Sequence, residues 1–200
     1  MTQKLFALCG IAASILFTAL FILFAALTPG YDHLSHAVSE LGMSNSPYAL
    51  LWNLLGFGLV GLLIVVFAWS LYLEFKSTRG GMLLSTLIGI SGLGYVGLGI
   101  FPATIGFQPS TATTLHTMMV MTSYFAFIIA AFAFAVSQRN NPAWKGWVLF
   151  SAAMGVIGLL SFAIPRSIPL GVSQRVGLGV NFLWLLVMGF ALYRKPIAKE

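Results

Sequence analysis

Six stretches of nearly uninterrupted apolar sequence, each about twenty residues long, decide what this chain can fold into. They run approximately over residues 5–27, 49–73, 81–101, 114–136, 146–164 and 174–193. A helix rises about 1.5 Å per residue and the hydrocarbon core of a bilayer is about 30 Å thick, so each stretch is long enough to cross it. Inside the bilayer every backbone N–H and C=O must be paired within the chain, which leaves helices as the economical answer for segments of this length. The expected fold is therefore all-α, a polytopic membrane bundle of six transmembrane helices forming one integral domain over residues 1–200. Composition points the same way. The chain is 59% hydrophobic and 7% charged, against about a quarter charged in soluble domains, and a soluble fold could not cover that much apolar surface.

Charge placement gives an orientation. Lys4, Lys76, Arg79, Arg139, Lys145, Arg194, Lys195 and Lys199 fall on one side when the six spans alternate, and only Arg166 and Arg175 fall on the other. Positive residues in short loops stay in the cytoplasm, so both termini are expected inside. Lys4 followed by an apolar run resembles a signal peptide, but the run exceeds the roughly 7 to 15 residues of such a segment and reads as a retained span. The net charge of +6 is spread along span ends without a basic stripe, so nucleic acid is not expected as a partner. Cys9 is the single cysteine, which excludes an intramolecular disulfide and a cysteine-based metal site. Nothing in the pattern sets an oligomeric state.

Between membrane helices the apolar effect gives no preference for a neighbour over lipid, so small residues that let backbones approach do much of the work. Ser85, Gly89, Gly92 and Gly99 share one face of the third span, with smaller pairs at Gly58 and Gly61 and at Gly155 and Gly158. These are expected to be packing surfaces. Proline ends a span at Pro29, Pro102 and Pro165, each at an outer loop.

The first outer loop carries the unusual chemistry. Tyr31 to Gly42 reads as about three turns of a short interfacial helix, with Leu34, Val38 and Leu41 on one stripe and Asp32, His36 and Glu40 on another. All three histidines, His33, His36 and His116, lie on the outer side in this topology. Asp32, Glu40, Arg166, Gln174 and Arg175 join them, with Asn53 and Asn181 slightly deeper. Ionisable groups at membrane depth are costly unless they are paired or face a polar cavity. The expected ligand-binding set is Asp32, His36, Ser39, Glu40, Asn53, His116, Arg166, Gln174 and Arg175, arranged around an outward polar pocket. A structural clasp between Glu40 and Arg175 and simple interfacial placement of His116 and Arg175, snorkelling to the headgroups, are the plainer alternatives.

The run from Tyr31 to Gly42, with Ser39-Glu40-Leu41-Gly42 at its centre and Ser46-Pro47 and Asn53 after it, resembles the bacterial and archaeal membrane family catalogued as domain of unknown function 998. Phe101-Pro102, His116 and Gln174-Arg175 are similar to that family too. The likeness covers essentially the whole chain and implies a six-helix domain of the cell membrane, in bacteria the inner membrane, without an established reaction. More distantly, the Ser-Glu-Leu-Gly and proline arrangement resembles eukaryotic multispanning proteins linked to autophagy modulation and lipid handling.

Two functions compete on these residues. In the first, the protein binds a lipid headgroup or small ligand at the outer leaflet, with Arg175 and Arg166 on an anionic group. In the second, it is a hydrolase or transferase for a lipid or lipid-linked substrate, with His116 or Glu40 as base, Ser39 or water as nucleophile and Arg175 stabilising negative charge. The first ranks narrowly higher, with membrane lipids as the expected partners and no cofactor. A metal on His36, Glu40 and His116 is a weaker option, because Asp32, His36 and Glu40 at intervals of four would spread along about 12 Å of helix. Haem ligation by His36 and His116 is disfavoured, since paired histidines inside facing spans are lacking. Transport is disfavoured because no span carries a charge near its middle. No phosphate-binding glycine loop, His-Glu-x-x-His or Gly-x-Ser-x-Gly occurs.

Overall fold

The computed structural model describes residues 2–165 and 167–195, so Arg166 and Lys199 lie outside the described residues. Six helices carry the fold: α1 (Thr2–Leu27), α2 (Ala49–Phe75), α3 (Gly81–Ile100), α4 (Thr111–Gln138), α5 (Val148–Ser161) and α6 (Leu170–Arg194). Five of them are long and apolar enough to cross a membrane, and α5 is shorter. No strand occurs among the described residues.

Each helix packs against its neighbours in sequence, and α6 returns to pack on α1, so the bundle closes into a ring. Its interior is aromatic. Phe17 stacks on Phe182 at 4.1 Å with Trp52 and Tyr95 buried around them, and Trp184 is buried against Phe127 and Phe134. The outside is apolar as well: Leu50, Val136 and Leu149 are 70%, 64% and 80% exposed. Large hydrophobic side chains turned outward along every long helix are at home in lipid and not in water. The chain is accordingly a multi-pass membrane protein.

The glycine face of α3 packs as its spacing predicts. A Cβ on Gly92 would lie 2.8 Å from the Gly61 carbonyl oxygen, and one on Gly61 would lie 2.6 Å from the Gly92 carbonyl oxygen, so α2 and α3 cross backbone to backbone at this pair. The N-terminal third of α2 is widened into a π-helix over Trp52–Leu59. Such widening changes which face a side chain meets, and here it accompanies the burial of both Trp52 and Asn53.

The first loop differs from the sequence expectation. Its helical part is a 3-10 helix of one and a half turns, Val38–Gly42, and Tyr31 to Ala37 is irregular. The reason is local. The Asp32 carboxylate accepts from the backbone N–H groups of Leu34 (3.2 Å) and Ser35 (3.2 Å) and from the Ser35 hydroxyl (2.6 Å), a side-chain turn that competes with helix formation. Val38 and Leu41 do reach the core, while Leu34 is 63% exposed.

At the opposite end of the bundle the connections are more than simple links. Glu74 of α2 accepts from Gln3 Nε2 (3.1 Å) and Trp144 Nε1 (2.9 Å) and pairs with Lys195, joining α1, α2, the α4–α5 connection and the end of α6. Beside it, fully buried Gln138 donates to Thr78 and accepts from Asn141.

Candidate functional site

The expected site residues divide into a clasp and a cavity. In the clasp, Gln174 and Arg175 at the start of α6 hold the backbone of the first loop. Gln174 Oε1 accepts from the Val38 N–H at 2.5 Å. Arg175 Nη1 donates to the carbonyls of His36 (3.0 Å) and Gly171 (2.6 Å), and Nη2 donates to the Tyr31 hydroxyl (2.9 Å), which in turn donates to the Ala37 carbonyl (3.1 Å). The guanidinium also lies over the Phe21 ring, 5.1 Å from its centre. Irregular buried backbone needs such partners, because an unpaired buried amide is costly. Burial pushes the Tyr31 phenol above its ordinary pKa, with Arg175 pulling the other way.

Glu40 does not pair with Arg175. Its Oε1 accepts from the Ala37 N–H at 2.7 Å, closing the first turn of its own 3-10 helix. Gly42, at the end of that helix, sits against α2: Asn53 Nδ2 donates to the Gly42 carbonyl at 2.9 Å, and a Cβ on Gly42 would collide with the Asn53 amide. The Ser39-Glu40-Leu41-Gly42 run is thereby explained as structure, with the acid capping, the leucine buried and the glycine admitting Asn53. Asp32 is exposed in its turn, and its hydrogen bond from the Ser35 hydroxyl holds the carboxyl below its ordinary range.

The cavity is separate. It holds about 430 Å³, half open, between α4, the end of α5 and the first half of α6, where α4 and α6 touch at few points, and Phe162, Ile164, Pro165 and Ile168 of the α5–α6 connection line it. Of the expected residues, Ser39, His116 and Gln174 line it. His36 and Glu40 instead border a second cavity among the loops, with Tyr31 and Ser46, and neither Arg175 nor Asn53 lines either one. The trio of His36, Glu40 and His116 considered for a metal is thus split, and among the described residues no three His, Cys, Asp or Glu side chains come close enough to hold an ion.

His116 is the most informative residue of the cavity. It is 3% exposed on α4, and Nδ1 lies 2.9 Å from the Phe101 carbonyl oxygen while Nε2 is buried with no partner. That carbonyl is free because α3 ends there, ahead of Pro102. Phe101-Pro102 and His116 are therefore one device.

The rest of the lining is mostly apolar, including Leu98, Val120 and Phe162, with a neutral polar group where the Tyr124 hydroxyl meets Ser161 Oγ at 2.6 Å. Sequence reading missed Tyr124 and Ser161. Single hydroxyl residues inside long apolar runs carry no periodic signal, and only the helix crossing brings them together.

Residues 11–191 match the family described as a protein of unknown function, DUF998. The chain belongs to this family. No curated protein and no solved structure matches it. The match takes in the Ser-Glu-Leu-Gly run, the clasp and the cavity alike, as the resemblance implies.

Proposed function

We propose that this DUF998 protein crosses the membrane six times, with both termini in the cytoplasm, and holds a small amphiphile, a lipid or lipid-like molecule, in the cavity between α4, α5 and α6. One observation carries the reading: a buried histidine with an unpartnered ring nitrogen on the wall of an otherwise largely apolar cavity. A volume of about 430 Å³ lies within the range of small-ligand sites, about 300 to 1,000 Å³, which are mainly apolar with a few placed polar groups. Such a volume suits one chain or ring system, not a whole two-chain phospholipid.

The anion-binding version with Arg175 as the ligand is the weaker form, because that guanidinium is engaged with loop backbone. Native mass spectrometry of the purified protein tests the binding reading. Wild type is expected to retain a small amphiphile that Val120→Trp, which fills the cavity, loses with its helical content intact. Equal retention by the two would sink the proposal. The topology is read from labelling by an impermeant maleimide in intact cells. His33→Cys is expected to react and Ser77→Cys to be protected, each in a background without Cys9.

The catalytic alternative draws support from Ser39 and His116 sharing the cavity. It ranks second because an activated serine needs a hydrogen bond to its base, and Nε2 of His116 has none. Reaction of Ser39 with a fluorophosphonate, dependent on His116, would reverse the order.

A further inference from the structure

The cavity reading leaves open which polar group the bound molecule presents, and the hydrogen-bonding state of the wall as a whole narrows it. Most of the polar side chains there have committed their protons to the protein. Ser123 donates to the Val120 carbonyl and Ser173 to that of Leu170, each at 3.1 Å. The Tyr124 and Ser161 hydroxyls are engaged with each other and with the Gly158 carbonyl. A carbonyl oxygen can only accept, so His116 holds its ring proton on Nδ1, against the Phe101 oxygen at 2.9 Å, and presents no donor to the cavity.

Two side chains of the same wall keep free donors. The first loop orients Gln174: the Val38 N–H can only donate, so the amide oxygen faces it at 2.5 Å and the amide NH2 points away from it. That nitrogen has no partner among the described residues and is not sealed in the protein. Ser39 directly follows Val38, so its hydroxyl belongs to the same corner of the cavity. The residue is 5% exposed, and its Oγ is likewise neither bonded among the described residues nor sealed in.

This corner lies at the loop end of the cavity. From there α4 lines the wall from His116 to Tyr124, about 12 Å of helix, with Val120, Met121 and, from α6, Leu178 as apolar surface. A decanoyl chain is of that length. The wall thus offers donors at one end and hydrocarbon along the rest.

We infer that the molecule bound here is a single-chain acyl ester, whose carbonyl oxygen accepts from the Gln174 amide and the Ser39 hydroxyl while its chain runs between α4 and α6. This inference rests on the cavity reading proposed above and specifies its ligand. A carbonyl oxygen carries two lone pairs and can take both donors. A carboxylate would take them as well, but it would bring a charge to a wall on which no Lys or Arg stands among the described residues. An ammonium group would set donors against donors.

The test uses the full-length protein in detergent and three radiolabelled probes, methyl decanoate, decanoate and dodecane, by scintillation proximity, with affinities corrected for partition into the micelles. Specific binding is the difference between wild type and Val120→Trp. Ser39→Ala removes one donor and leaves no protein group unpaired. Gln174→Glu keeps an oxygen for the Val38 N–H and puts an acceptor in place of the NH2. Each variant is expected to weaken methyl decanoate about tenfold, the effect of one lost hydrogen bond to a buried acceptor, and to move dodecane by less than about twofold. Wild type is expected to bind the ester more tightly than decanoate. Specific ester binding that either variant leaves unmoved, equal losses for ester and dodecane, or tighter binding of decanoate than of the ester overturns the ester inference and leaves the cavity reading standing. Absence of specific binding by every probe overturns both. Should Gln174→Glu fail to fold, Ser39→Ala decides alone.

Discussion

Arg175 donates to the main-chain carbonyl of His36 at 3.0 Å, so the start of the last helix grips the first loop by its backbone and not through a carboxylate. Arg175→Ala is expected to destabilise the protein by about 3 kcal/mol, since it removes several charge-assisted bonds from partly buried carbonyls. Glu40→Gln should cost under about 1 kcal/mol, because an amide oxygen can still accept from the Ala37 N–H. Reversible unfolding in mixed micelles measures both. Losses of similar size would mean that the two side chains act as an ion pair.

Gly171 is the surface on which that grip closes. A Cβ there would lie 2.5 Å from the Leu34 carbonyl oxygen and 2.7 Å from that of His36. Backbone atoms cannot swing aside, so Gly171→Ala is expected to cost about 1 to 3 kcal/mol. Gly179, two turns further along α6, meets nothing within 4 Å. Gly179→Ala should therefore be neutral or stabilising by up to about 1 kcal/mol. Midpoints of thermal unfolding for the two variants should move in opposite directions, or one should move and the other stay.

At the far end, Glu74→Ala removes the shared acceptor of Gln3, Trp144 and Lys195. A loss of about 2 to 3 kcal/mol is expected, because a mostly buried indole N–H is left without a partner. Lys195→Ala should cost less than about 1 kcal/mol, as its side chain is 39% exposed and solvent screens the pair. Denaturant unfolding of the two single variants gives the comparison.

The Asp32 turn carries a pH dependence of known sign. Its carboxyl is held below the ordinary value of 3.8, chiefly by the Ser35 hydroxyl. The contribution of the turn is therefore fully present above that value and fades as pH falls through the lower pKa of the folded state. Protection of the Leu34 and Ser35 amides, taken relative to intrinsic exchange at each pH, should stay flat from neutral pH down to about 4 and fall below it. Asp32→Asn should abolish that dependence.

Most of the architecture could be read from the chain because bilayer thickness translates directly into run length. The first four helices begin and end within a few residues of their apolar runs. The fifth run overshoots, as Phe162 to Ile164 turn toward Pro165 after α5 has ended, and α6 starts at Leu170, directly after Pro169, four residues ahead of its run. Glycine spacing also marked a packing face on α3, though not that α2 is the helix that crosses it at Gly61. The loop was misread for a physical reason: its spacing fits a helix of 3.6 residues per turn, but Asp32 and Arg175 supply partners to the backbone that regular helix would have satisfied itself. Spacing likewise predicts a single pocket around Glu40, His116 and Arg175, whereas only His116, Ser39 and Gln174 meet. Charge marked Arg175 as a ligand for an anion, and sequence cannot tell an arginine facing a ligand from one facing carbonyls 139 positions away. Glu74 gives no signal of its own, because an acid at a helix end looks the same whether solvated or shared.

The fifth helix has a consequence for the membrane itself. Val148–Ser161 is 14 residues long, a rise of about 21 Å, next to neighbours that match a hydrocarbon layer of about 30 Å. In the six-span topology proposed above, lipids along that side would shorten their reach even with the 3-10 turn Lys145–Trp147 added to α5, and the bilayer would thin locally against it. The strain would fall on the side of the bundle where the α4–α6 gap opens. A lipid there, already under compression, would have the least to lose by leaving its leaflet.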